Sequence, residues 1–155
     1  MKLRDILTPG LTLCCDDSIQ TKKQALHTIS TMIADVDSRV KDKRVFDALM
    51  KREQLGSTAV GHGFAIPHAR ISDLRGAICV ILSLKSPINF DSDDNHQPVD
   101  VIFGLLVPEA ATGGHLEILS DIALHLKDSD YRQGLRMALD SEQMYEAAIG
   151  DFDLD

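Results

Sequence analysis

One stretch of this chain joins a potentially nucleophilic ring nitrogen to residues that hold a backbone still. In Gly61-His62-Gly63-Phe64-Ala65-Ile66-Pro67-His68-Ala69-Arg70, glycine, proline and histidine stand together between apolar segments. His68 follows a proline, whose φ is fixed by its ring, within a glycine-rich turn. That placement suits an imidazole held out to react, and imidazole nitrogen is a nucleophile at neutral pH. The plainer reading is a loop histidine that hydrogen-bonds its own turn.

The other histidines stand at positions 27, 62, 96, 115 and 125. His27 and His125 fall in helical patterns and His96 in a polar loop, where solvated or structural roles are commonest. His62 and His115 resemble His68 in lying beside glycine at an element boundary, where functional side chains concentrate. His115 also reads as an ordinary first-turn helix residue. Arg52 falls in the last turn of a helix, where a cation complements the dipole. Ser57-Thr58, after Gly56, can bind an anion or satisfy the turn. Taken singly, each of these residues has a structural explanation. His62, His68 and His115 together could ligate zinc, although their spacing matches no compact ligand motif.

The elements that must position these residues follow from hydrophobic spacing. Apolar residues at Ala25, Leu26, Ile29, Met32, Ile33 and Val36 predict an amphipathic helix over 21–36, with Ser18 as its cap. A second helix is expected from about Asp42 to Gln54, turning Val45, Phe46, Leu49 and Met50 inward, with Gly56 as its stop. From Ser57 to Arg70 the chain reads as turns and short extended pieces. The runs Ala77–Leu84 and Val99–Val107 are rich in branched residues and too continuous for one-faced strands. They read as central strands covered on both faces, separated by a polar loop from Pro87 to Pro98. Thr112-Gly113-Gly114 marks a turn, and His115 opens a helix through Leu116, Leu119, Ile122, Ala123 and Leu126. Shorter helices are expected around 131–139 and 141–149, before an acidic tail at about 150–155. Helices with buried strands indicate an α/β sandwich.

Composition narrows the function classes. A chain of 155 residues is most simply one domain, residues 1–155, with a core of ordinary size. Sixteen basic residues against 24 acidic ones give a net charge of -8, which disfavours nucleic acid and anionic membranes as partners. A protein with a basic docking face would be steered toward it. Cys14, Cys15 and Cys79 have no metal-ligand spacing, and an odd count without a disulfide framework fits a reducing cytoplasm. Neither a secretory leader nor a stretch of membrane-spanning length is legible.

The residues gain meaning in combination. Arg52-Glu53-Gln54-Leu55-Gly56-Ser57-Thr58-Ala59-Val60 and the segment that follows through His68-Ala69-Arg70 closely resemble the active-site region of the fructose/mannitol-type enzyme IIA domains. These domains belong to the phosphoenolpyruvate-dependent phosphotransferase system. Pro87-Ile88-Asn89-Phe90-Asp91, Asn95, Gln97-Pro98-Val99-Asp100, Leu105-Leu106-Val107-Pro108 and His115-Leu116 resemble the same family. A chain of this length without a fused transporter or IIB domain looks most like the nitrogen-regulatory branch. Ala59 stands where many relatives have glycine, His62 where asparagine is frequent, and His96 interrupts a common Asn-Gln-Pro-Val-Asp.

The resemblance implies a single α/β domain with a mixed sheet flanked by helices. It implies that His68 accepts a phosphoryl group, as a tele-phosphohistidine, from an HPr- or NPr-like phosphocarrier. His115 would stabilise the phosphohistidine, and Arg52, Ser57 and Thr58 would bind the phosphate. No cofactor or metal is implied. The phosphorylation state would signal to regulators of nitrogen, carbon or potassium metabolism, including potassium-transport or sensor-kinase regulators. Two alternatives stay open: a sugar-specific enzyme IIA passing phosphate to a IIB partner, and a binding module acting mainly unphosphorylated.

Overall fold

The two branched apolar runs become neighbouring antiparallel strands at the middle of a mixed sheet. The computed structural model describes residues 1–90, 98–111 and 113–150. The strands are β1 (Thr12–Asp16), β2 (Ala59–Gly61), β3 (Phe64–Ala65), β4 (His68–Ile71), β5 (Ile78–Ile88) and β6 (Val99–Pro108). The helices are α1 (Lys22–Val36), α2 (Asp42–Gln54), α3 (Gly113–His125), α4 (Ser129–Met137) and α5 (Ser141–Ile149). The sheet order is β1-β5-β6-β3-β2, with β4 also paired to β6. β1 runs parallel to β5, and β3 and β4 run parallel to β6. The expected mixed sheet flanked by helices is the architecture found.

β5 and β6 are covered on both faces, as their unbroken apolar character predicts. Cys79 to Leu84 are buried without interruption, and so are Val101 to Val107. Each fully buried Leu or Ile here contributes about 1.5–3 kcal/mol relative to an exposed one. Side chains alternate along β6, and the alternation places the helices. Gly104 lies under Ile29 of α1, so closely that a Cβ there would sit 2.7 Å from Ile29 Cγ2. Its neighbour Leu105 borders a cavity with Leu116 and Leu119 of α3. Adjacent strand residues face opposite ways, so α1 and α3 cover opposite faces.

β3 and β4 are one strand interrupted. Phe64 stands opposite Val101 and His68 opposite Leu105, so the register with β6 is the same on both sides of Ile66-Pro67. Proline lacks the N–H that a ladder requires, and pairing lapses at that dipeptide. It resumes where Leu105 N donates to Pro67 O at 2.9 Å.

Several local expectations are corrected. Thr21, and not Ser18, caps α1: its side chain accepts from Gln24 N, whereas Ser18 is held by Asp16 Oδ1. Val36, read as inward, is 56% exposed because it ends the helix beyond the core. Ala123 is exposed, while Ile118 and Ile122 carry α3's buried stripe. β5 continues past the point where a loop was expected, with Pro87 at an exposed position near its end. β1 is a strand that hydrophobic spacing did not announce, since its five residues include a bulge. The expectations for Asp91–Gln97, Thr112 and the tail 151–155 fall outside the described residues.

Candidate active site

His68 opens β4, and its ring is fixed by the interruption that precedes it. Nδ1 lies 2.7 Å from the carbonyl oxygen of Ile66. A carbonyl only accepts, so Nδ1 carries the hydrogen and the neutral ring keeps its lone pair on Nε2. Pro67 is buried behind the half-buried His68, and the β6 ladder holds the backbone on both sides. The expected histidine-to-turn bond is present, and it is compatible with a reactive ring because it leaves Nε2 available.

A cavity of about 210 Å³ adjoins His68 and is also lined by Arg52, Arg70 and His115. Ala69, Leu105, Val107, Leu116 and Leu119 complete its walls. Four nitrogenous side chains from three separate parts of the chain thus meet over an apolar floor. His115 is the third residue of α3, whose first turn presents backbone N–H groups and the positive end of the helix dipole. Arg52 leaves the last turn of α2 and donates from Nη1 to Gly56 O at 2.9 Å. It therefore holds the turn that follows its own helix and borders the cavity at once.

Ser57 and Thr58 lie in the loop after α2 and are not among the cavity's lining residues. Ser57 Oγ accepts from Ala59 N at 3.1 Å. Thr58 is buried, with its hydroxyl donating to Glu53 Oε2 and its N–H to Glu53 Oε1 at 3.3 Å. Glu53 in turn meets Lys22 Nζ at 2.8 Å, and Lys22 lies over the Phe90 ring. This buried carboxylate ties α1, α2 and the loop together, and it had no role in the sequence reading. Its signal was a glutamate on the inward side of an amphipathic helix.

Arg70 lines the cavity too, although the sequence points to no role for it. It follows His68 by two residues on β4, and that spacing puts both on one side of a strand. His62 is placed away from this cavity. It occupies the β2–β3 turn with a positive φ of 58°, and its carbonyl accepts from Arg136. Arg136 also bonds Asp100, from Nε at 3.0 Å and Nη2 at 2.8 Å, and lies over the Phe64 ring. Gly63 O accepts from Asp100 N and Pro67 O from Leu105 N, so the two histidines lie roughly five strand residues, or about 16 Å, apart along β6. Among the described residues no three His, Cys, Asp or Glu side chains group as a metal site.

Comparison with known proteins gives this geometry a context. Residues 5–149 match the family model described as phosphoenolpyruvate-dependent sugar phosphotransferase system, EIIA 2. A nitrogen regulatory protein of Pseudomonas aeruginosa is 41% identical over 149 residues, covering 96% of this chain and 96% of the relative. One from Escherichia coli K12 is 43% identical over 128 residues, covering 82% of this chain and 77% of the relative. The crystal structure of nitrogen regulatory protein IIA-Ntr from Neisseria meningitidis superposes with a TM-score of 0.84 at 31% identity, covering 94% of this chain and 98% of that one. The mannitol IIA of Escherichia coli shares the fold at a TM-score of 0.74 and 17% identity, over 92% and 98% of the two chains. The chain belongs to the EIIA 2 family of the phosphoenolpyruvate-dependent sugar phosphotransferase system.

Proposed function

We propose that this chain, as one domain over residues 1–155, is a cytoplasmic phosphoryl relay of the nitrogen-regulatory kind, with His68 as the reversible acceptor. The single observation that carries the reading is the Nδ1 contact to Ile66 O, which leaves the Nε2 lone pair on a ring bordering a cation-lined cavity. Nε2 forms the new N–P bond as the N–P bond of the carrier's phosphohistidine breaks. The carrier's imidazole leaves with the bonding electrons. Such transfer asks the protein for positioning and charge stabilisation more than covalent chemistry. Arg52 supplies the guanidinium for the phosphate, and His115 a donor from the helix start. Ser57 and Thr58 serve the phosphate by setting the loop that receives Arg52.

The donor is an HPr- or NPr-like carrier. Leu116, 44% exposed at the cavity, and Leu55, 85% exposed just after Arg52's helix, provide an apolar rim around a polar centre for its docking. Phosphorylation adds about -1.5 to -2 charges, enough to change which regulator of potassium, nitrogen or carbon metabolism binds that surface. Among the described residues no helix is long and apolar enough to cross a membrane.

The test is incubation with phosphoenolpyruvate, enzyme I and the carrier. Wild type should take one acid-labile phosphoryl group and His68→Ala none. Stable labelling of His68→Ala at the wild-type rate would overturn the assignment. For His115→Ala the expectation is slower acceptance or failed onward transfer, and unchanged kinetics in both directions would reduce His115 to a structural residue.

A further inference from the structure

Two thiols meet at the other end of the sheet. Cys14 and Cys15 are consecutive in β1, and consecutive strand side chains ordinarily point to opposite faces. Here their sulfurs lie 3.2 Å apart, and both turn toward Ala138 O, at 3.0 Å from Cys14 and 3.6 Å from Cys15. The cause is local. Cys15 has a φ of 61°, and the register between β1 and β5 shifts between Leu13 and Asp16. Cys15 N donates to the Ser83 hydroxyl at 2.8 Å in place of a ladder carbonyl. The left-handed region is one that side-chain-bearing residues rarely adopt, and its result here is the convergence of two sulfurs.

The surroundings suit an anionic thiol-reactive molecule. Cys15 is exposed and borders a cavity of about 370 Å³ that Ser83, Lys85, Asp100 and Arg136 also line. Lys85 supplies a cation to this cavity, alongside Arg136, whose charge Asp100 already pairs. Burial, then the hydrogen bond to Cys15, pushes the Cys14 thiol up to about 11. The exposed thiol is thus the one to attack first, and its neighbour the one to resolve. Cys79 is fully buried and takes no part.

We propose that Cys14 and Cys15 are a redox modification site, a vicinal dithiol that a low-molecular-weight, carboxylate-bearing disulfide converts reversibly to a ring disulfide. The Cys15 thiolate attacks one sulfur of the small disulfide and releases the first thiolate, leaving a mixed disulfide. Cys14, deprotonated, attacks the Cys15 sulfur, closes the ring and releases the second thiolate. The two protons lost by the cysteines pass to the two released thiolates, so one small disulfide becomes two thiols. The product is readily reversed, because adjacent Cα atoms sit about 3.8 Å apart while relaxed disulfides want about 4.4–6.8 Å, and strained bridges reduce easily. Oxidation removes both S–H donors from Ala138 O, at the junction between α4 and α5.

The test treats the full-length protein with oxidised glutathione and follows the peptide spanning residues 5–22 by mass spectrometry. Wild type and Cys79→Ser should lose two hydrogens within that peptide, and dithiothreitol should restore them. Cys14→Ser, whose hydroxyl can still donate to Ala138 O, should instead accumulate a stable glutathione adduct on Cys15. Cys15→Ser should remain unmodified. A wild type that stays reduced, stops at the glutathione adduct or forms interchain disulfides would overturn the proposal. A trivalent arsenical gives an independent reading: a one-to-one adduct is expected on wild type and its loss in either variant, and an adduct that survives both variants counts against the dithiol.

Discussion

Nδ1 of His68 and the carbonyl of Ile66 are 2.7 Å apart, and this one contact settles the tautomer of the ring. The Gly63 and Pro67 carbonyls accept from β6 while the Ile66 N–H donates to Thr58 O on the opposite side, so the Ile66 carbonyl faces away from β6 and toward the ring. Phosphorylation is therefore expected at Nε2. Nitrogen-detected histidine NMR of the phosphorylated protein checks this directly, and a phosphoryl group on Nδ1 would refute the tautomer argument.

Arg52 bonds Gly56 O and lines the cavity beside His68, and substitutions should separate the proposed phosphate role from a structural one. Loss of a single charge-stabilising donor costs about 10²–10³ in rate, so Arg52→Gln should slow phosphoryl acceptance by that order. Arg52→Lys should recover part of the rate, since an ammonium supplies charge without the planar fork. Stopped-time labelling from the carrier measures both. Should Arg52→Gln merely lower the unfolding midpoint and leave the rate intact, its bond to Gly56 O would be its whole role.

Glu53 is expected to matter for stability. Its carboxylate is 7% exposed at the residue level and meets Lys22 Nζ at 2.8 Å and the Thr58 N–H at 3.3 Å. Truncation to alanine leaves Lys22 and Thr58 without their acceptor. Because Lys22 keeps a quarter of its side chain exposed, the cost should fall somewhat below a fully buried pair, at about 2–4 kcal/mol. Urea unfolding measures it, and Glu53→Gln should lose less. A loss under about 0.5 kcal/mol, as for an ordinary surface site, would contradict the burial argument.

Gly104 and Ile29 should behave as a coupled pair. A Cβ at position 104 would meet Ile29 Cγ2 at 2.7 Å and Cδ1 at 2.9 Å. Overpacking of this sort costs about 1–3 kcal/mol, and Gly104→Ala should be destabilised accordingly. In an Ile29→Ala background the same change should cost much less. Strict additivity in the double-mutant cycle would show that the two do not touch.

Much of the frame was legible because it depends on periodicity. The α2 boundaries, the start of α5 and the burial of β5 and β6 follow from where apolar residues recur, since a helix stripe and a two-faced strand leave distinct patterns. Ser18 failed as a cap for a reason periodicity cannot express: Asp16 captures its N–H and hydroxyl, so the helix starts at Thr21 instead. β1 escaped because a bulge at Cys15 breaks its alternation within five residues.

The sequence by itself determined which chemistry was available: an imidazole after a proline, a second histidine at a helix start, and an arginine at a helix end. It also determined the family, because the long segment ending at Arg70 is specific. Only the tertiary structure decided which of these residues stand together. The common register of β3 and β4 on β6 sends His62 and His68 to opposite ends of a strand, so one joins Arg52 and His115 while the other joins Arg136. The same folding turned Thr58 inward to Glu53 and brought Arg70 to the cavity. Spacing along a chain fixes the face on which a residue lies, but its neighbours come from elements far away in sequence, and only strand pairing and packing choose them.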